Sequence, residues 1–154
     1  MTTHITRQVR ASIILALILC LVAVPSVARA DTGTAELLGT VTFAQPLDPV
    51  TPQPNTATGS FEGLVTTDQF QGLVSCSLSA SVVESVVSGQ GQGSLACSGG
   101  GASASCDVSY EHVMTTVTGS ASCTGQIMPP SPIIVCVVVY VPPNAYLVCA
   151  IVSI

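Results

Sequence analysis

Tryptophan and lysine are absent from this 154-residue chain, and its only arginines are Arg7, Arg10 and Arg29. Aromatic residues make up 4% and charged residues 7% of the whole. A core must therefore be filled by valine, leucine and isoleucine. The aromatic platforms on which sugars usually stack are scarce. The placement of the three arginines sharpens the exclusions.

All three lie in the first thirty residues, which read as a secretory leader. Arg7 and Arg10 form a positive start, residues 11–24 an apolar run, and Ala28-Arg29-Ala30 a small-residue cleavage site before Asp31. The apolar run falls short of the ~20 residues that a helical bilayer span requires. Cleavage leaves eight carboxylates, from Asp31 to Glu111, against no lysine or arginine, a formal charge of −8. Nucleic-acid binding rests on basic side chains that neutralise phosphates, and it is excluded. Attraction to an anionic membrane surface fails for the same reason. Phosphate and carboxylate substrates would find no Arg or Lys clamp. The acidity itself serves solubility.

Cys20 departs with the leader, and Cys76, Cys97, Cys106, Cys123, Cys136 and Cys149 remain. An even number in a small exported chain predicts a disulfide framework. A zinc site is the rival, but the tightest cysteine spacing is nine positions and no second histidine accompanies His112. No metal or other cofactor is expected.

The rest of the chain reads as short strands. Leu37, Val41 and Phe43 share a face over residues 37–43. Residues 44–58, with Pro46, Pro49, Pro52 and Pro54, read as an extended connector. Strands follow at 60–65, at 71–80 with Val74, Cys76, Leu78 and Ala80 on one side, and at 81–87. Gly89-Gln90-Gly91-Gln92-Gly93 reads as a turn, 94–97 as a return to the sheet, and Gly99-Gly100-Gly101 as the next turn. Residues 104–112 alternate without error, with Cys106, Val108, Tyr110 and His112 on one face and Ser105, Asp107, Ser109 and Glu111 on the other. The pattern continues through 113–119. Residues 133–141 and 145–152 are apolar at nearly every position, which predicts strands buried on both faces inside a sandwich.

The expected fold is therefore all-β: one antiparallel sandwich or barrel of about eight strands, stapled by disulfides. The expected organisation is a leader (1–30), an N-terminal strand with its proline-rich loop (31–59), and the disulfide-bonded domain (60–154). A hairpin closing over residues 141–144 sets Tyr140 opposite Ala145 and so Cys136 opposite Cys149, within disulfide reach. A turn centred on Gly101-Ala102 pairs Cys97 with Cys106, which leaves Cys76 for Cys123.

Chemistry is sparsely provided. Hydrolysis needs a nucleophile, a base and an orienting acid. His112 is the one base available beyond the leader, and its neighbours Glu111 and Asp107 point to the opposite face of its strand. No GxSxG elbow, HExxH helix, phosphate loop or DxDxDG calcium loop occurs. The first expectation is thus a non-catalytic exported domain, structural or binding, whose partner is an envelope component. The second is a carrier of an apolar small molecule held between sheets. In composition the chain is similar to the small acidic exported sandwiches typified by the enediyne-antibiotic apoproteins; no motif is shared and no residue role follows. A secreted hydrolase using His112 is the third. A roomy apolar cavity separates the second from the first.

Overall fold

The computed structural model describes residues 33–153. The leader and its cleavage site lie outside the described residues. Eight strands follow one another: β1 (Gly33–Phe43), β2 (Gln53–Thr67), β3 (Gln71–Glu84), β4 (Ser88–Gly99), β5 (Ala102–Val113), β6 (Thr116–Gly125), β7 (Ile133–Val141) and β8 (Asn144–Val152). Each runs antiparallel to the next, and β8 returns to pair with β1 from Thr34↔Val152 to Thr42↔Asn144. The sheet thus closes into an up-and-down barrel, with no second sheet and no free edge among the described residues.

The two-residue period dictates which side chains point inward. In β3, Val74, Cys76, Leu78, Ala80 and Val82 face the axis, and Ser75, Ser77, Ser79 and Ser81 face water. β5 repeats this with Ala104, Cys106, Val108, Tyr110 and His112 inside. From β2 to β6 the outer positions are mostly Ser and Thr, so these strands have one dry face and one wet face. Hydrophobic burial then fixes the register, since a one-residue slip would exchange the two faces.

Four expectations are corrected. The proline-rich connector is shorter than its prolines suggest, because β2 begins at Gln53. Its first residues pair with β3 (Pro54↔Val83) beyond the end of β1, whose last partner is Ala57. A residue without an N–H is tolerated at such a one-sided position. The GQGQG segment is not a turn; it is the start of β4, and the reversal occurs at Ser85–Ser88, closed by Ser85 N–H donating to Ser88 O at 2.8 Å. The outer faces of β7 and β8 are exposed rather than buried: Val135, Val137, Val139, Tyr146 and Val148 are 43–57% accessible. One face of a single-walled barrel meets solvent whatever residues it carries. Finally, β1 and β2 are staves of the same barrel as everything after residue 60.

The disulfides follow the register. Cys136 pairs with Cys149, directly opposite in the β7–β8 hairpin. The other two differ from expectation: Cys76 joins Cys97, and Cys106 joins Cys123. The β4–β5 turn is confined to Gly100 and Gly101, both at positive φ, so Gly99 faces Ala102. That register sets Cys97 against Ala104 and Cys106 against Leu95, which forbids the Cys97–Cys106 bridge. Each bond instead crosses a neighbouring pair at 4.0–4.1 Å between Cα atoms. All six sulfurs sit on inward-facing positions.

The two halves of the interior are filled differently. The end that holds connections 68–70, 100–101 and 126–132 is solid. There Val65, Val74, Cys76, Cys97, Ala104, Cys106 and Cys123 pack with Ile127 and Met128, which the β6–β7 connection tucks into the core. That connection replaces ladder pairing on the lower half of β6, where Ala121 and Cys123 donate to Pro132 O and Pro130 O. The other end is hollow.

Candidate functional site

The hollow end is a cavity of about 390 Å³. Leu78, Leu95, Val108, Ile134, Val138, Tyr140, Leu147, Phe43 and Phe61 line its walls, and Leu47, Val86, Val87 and Met114 from the connections form its rim. Several of these residues point inward and yet stay partly accessible, among them Phe43, Leu78, Val108, Tyr140 and Leu147. An inward side chain that still meets solvent is what a void at the barrel axis produces. Eight strands enclose just enough room for side chains to meet or for one small ligand; here small residues at Ala57, Ala80 and Ala145 leave the room open.

One polar cluster interrupts the apolar wall. Glu84, the last residue of β3, pairs in register with Gly89 of β4, and Gly89 pairs with His112 of β5. The two outer members of this row meet over the glycine, His112 Nδ1 lying 3.2 Å from Glu84 Oε2. A Cβ on Gly89 would overlap Glu84 Oε1, so glycine is what lets the carboxyl lie there. The next row repeats the device: Val82, Gly91 and Tyr110 align, and a Cβ on Gly91 would come within 2.6 Å of the Tyr110 ring. The alternate glycines of GQGQG thus form a bare inner strip on β4, over which side chains from β3 and β5 lie.

The pair is buried, with Glu84 4% and His112 5% accessible. His112 Nε2 is 2.6 Å from the carbonyl oxygen of Met114. A carbonyl can only accept, so Nε2 carries the proton and donates. Nδ1 faces Glu84 Oε2, and this contact places one shared proton between the imidazole and the carboxyl. The hydrogen bond to Glu84 raises the imidazole pKa above its ordinary value, against the opposing effect of burial, and the Met114 carbonyl adds to the rise. Burial, and secondarily the charge of Glu84, pushes the Tyr110 phenol upward too, so Tyr110 remains a neutral donor. Met114 holds its carbonyl in place with a φ of 56° in the two-residue turn between β5 and β6.

Glu84 Oε1 is buried and has no hydrogen-bond partner. It belongs to a residue that lines the cavity. An unsatisfied buried acceptor costs about 1–3 kcal/mol unless something donates to it.

The residues singled out from sequence fall into two groups. The six cysteines are all consumed in disulfides, and Cys136 and Cys149 also line the cavity. His112 lies in the cavity wall, but its two ring nitrogens engage Glu84 and Met114, and neither touches a serine hydroxyl. Glu111 is on the outer face. Among the described residues no group of three His, Cys, Asp or Glu side chains is placed to hold a metal ion. Glu84 and Gly89 escaped the sequence reading. Parity carried the signal, for Glu84 continues the inward series Val74, Cys76, Leu78, Ala80, Val82.

Comparison with known protein families, with characterised proteins and with solved structures finds no match to this chain.

Proposed function

We propose that this chain is an exported, non-catalytic binding protein that holds one apolar small molecule inside the hollow end of its barrel. The observation that carries the reading is the cavity of about 390 Å³, walled by aliphatic and aromatic side chains with a single polar cluster. Ligand sites have this make-up: mostly apolar walls with a few convergent polar groups. A purely structural domain would be favoured by a filled interior. Three disulfides agree with export, because such bonds persist in oxidising compartments. A hydrolase using His112 gains less support, since its Nε2 proton is already donated to Met114 O and its Nδ1 engages Glu84 rather than a hydroxyl.

The test is titration of the oxidised protein with the neutral fluorophore N-phenyl-1-naphthylamine. Saturable enhancement at one site per chain is expected. Ala145→Phe, which fills the cavity from a buried wall position, should abolish it while the three disulfides and a cooperative melt remain. Absence of saturable binding to the unaltered protein would refute the carrier reading.

A further inference from the structure

We propose that the cargo is an apolar molecule bearing one neutral hydroxyl, an alcohol or a phenol, whose O–H donates to Glu84 Oε1. The inference rests on the carrier reading above and adds the chemistry of the ligand's polar end. Three observations converge on it. Glu84 Oε1 is the one buried side-chain polar atom without a partner among the described residues, and its residue lines the cavity. The carboxyl is held there by His112 on its other oxygen, and Gly89 gives it the space. The rest of the cavity lining is apolar apart from Tyr110, the engaged imidazole, and Ser109 and Thr115.

Charge excludes the alternatives. A carboxylate or phosphate head would enter a buried site that already holds a carboxyl group, and no lysine or arginine occurs between residues 33 and 153 to balance it. An ammonium head would add a positive charge beside an imidazole whose proton already compensates Glu84, leaving the cluster charged in an apolar surrounding. A neutral donor satisfies Oε1 and leaves the charge balance untouched.

Propylbenzene, 4-propylphenol and 4-propylbenzoate form a matched probe set that differs only at the head group. Their dissociation constants are measured for the oxidised protein by calorimetry or by fluorophore displacement. Transfer of the hydroxyl out of water penalises the phenol, and that penalty cancels when the phenol-to-propylbenzene ratio is compared between proteins. Glu84→Leu should shift the ratio against the phenol by about tenfold or more. Glu84→Gln should keep it, because its amide N–H₂ can donate to Nδ1 and its oxygen can still accept in the cavity. If Glu84→Leu does not fold, the double variant Glu84→Leu/His112→Leu, which removes the whole pair, gives the same readout. A ratio unchanged in the leucine variants, or tighter binding of 4-propylbenzoate than of the phenol to the unaltered protein, overturns the proposal. If propylbenzene itself does not bind, the carrier reading fails; if it binds and only the ratio is flat, that reading stands and this one falls.

Discussion

Glu84 and His112 are hydrogen-bonded at 3.2 Å although their strands never touch. β4 runs between them, and the contact forms because the intervening residue, Gly89, has no side chain. A methyl group at that point would overlap the Glu84 carboxyl oxygen and the carbonyl of Val83. Gly89→Ala should therefore destabilise the barrel by about 1–3 kcal/mol, the range for overpacking, and displace the carboxyl from the imidazole. Urea unfolding gives the first quantity, and the His112 ring signals in an NMR spectrum report the second. An alanine variant with unaltered stability and unaltered His112 signals would show that the row is not packed as described.

The same contact makes stability depend on pH. The imidazole pKa is raised in the folded state, chiefly by its hydrogen bond to Glu84. A group whose folded pKa lies above its unfolded value contributes stability that is complete below the unfolded value, about 6.5 for histidine. That contribution is lost as pH rises through the folded value. The groups facing the ring are the Glu84 carboxyl and the Met114 carbonyl, with Tyr110 one row away and still neutral through this range. Unfolding free energy should decline from pH 6.5 upward in the native protein. In His112→Leu that decline should be absent. A native profile flat over this interval, or one rising, contradicts the assignment.

Disulfide mapping distinguishes the barrel register from its neighbours. Peptides from the non-reduced protein should be linked as Cys76–Cys97, Cys106–Cys123 and Cys136–Cys149. Loops of 13–21 residues give each bond roughly 3 kcal/mol in the chain-entropy account. Replacing both members of any one pair by alanine should lower stability by about that much. Recovery of a Cys97–Cys106 peptide would mean that β4 and β5 pair two positions away from the register described.

The C-terminal hairpin provides a test of inside against outside. Val137 and Val148 face each other on the outer surface, each 57% accessible, and Val138 lies inside at 8%. Val137→Thr with Val148→Thr should change stability by no more than about 0.5 kcal/mol. Val138→Thr should cost about 1–3 kcal/mol, because it sets a hydroxyl against the apolar wall. Equal costs at the two sites would indicate a second layer over β7 and β8.

Much of this architecture was legible in the residues themselves. Ser–hydrophobic alternation in 71–82 and 104–112 revealed both the strands and their inner faces, because burial on one side imposes period two. The Cys136–Cys149 bond followed from a hairpin whose two prolines bar a helix. What stayed hidden depended on neighbours far along the chain. Gly89, Gly91 and Gly93 look like a turn locally, and only the side chains of Glu84 and Tyr110 lying across them make a glycine-bearing strand favourable. The apolar outer face of β7 and β8 mimicked a doubly buried strand. The Cys97–Cys106 pairing differs because the turn is centred on Gly100-Gly101, one residue before Gly101-Ala102, which shifts the register by two positions. Glu84 is hard to see from sequence because a division of its strand at Ser81 cuts it off from the inward series that ends at Ala80.

The claim on which the rest depends is that half of the barrel is empty and apolar. A crystal of the oxidised protein held under xenon pressure tests it directly, since xenon enters dry apolar cavities of this kind. Anomalous density is expected inside the barrel between Leu78, Val138 and Leu147, toward the end that carries Glu84 and His112. A barrel without xenon there, in which Phe61, Tyr110 and Tyr140 turn inward and fill the axis, would contradict the account.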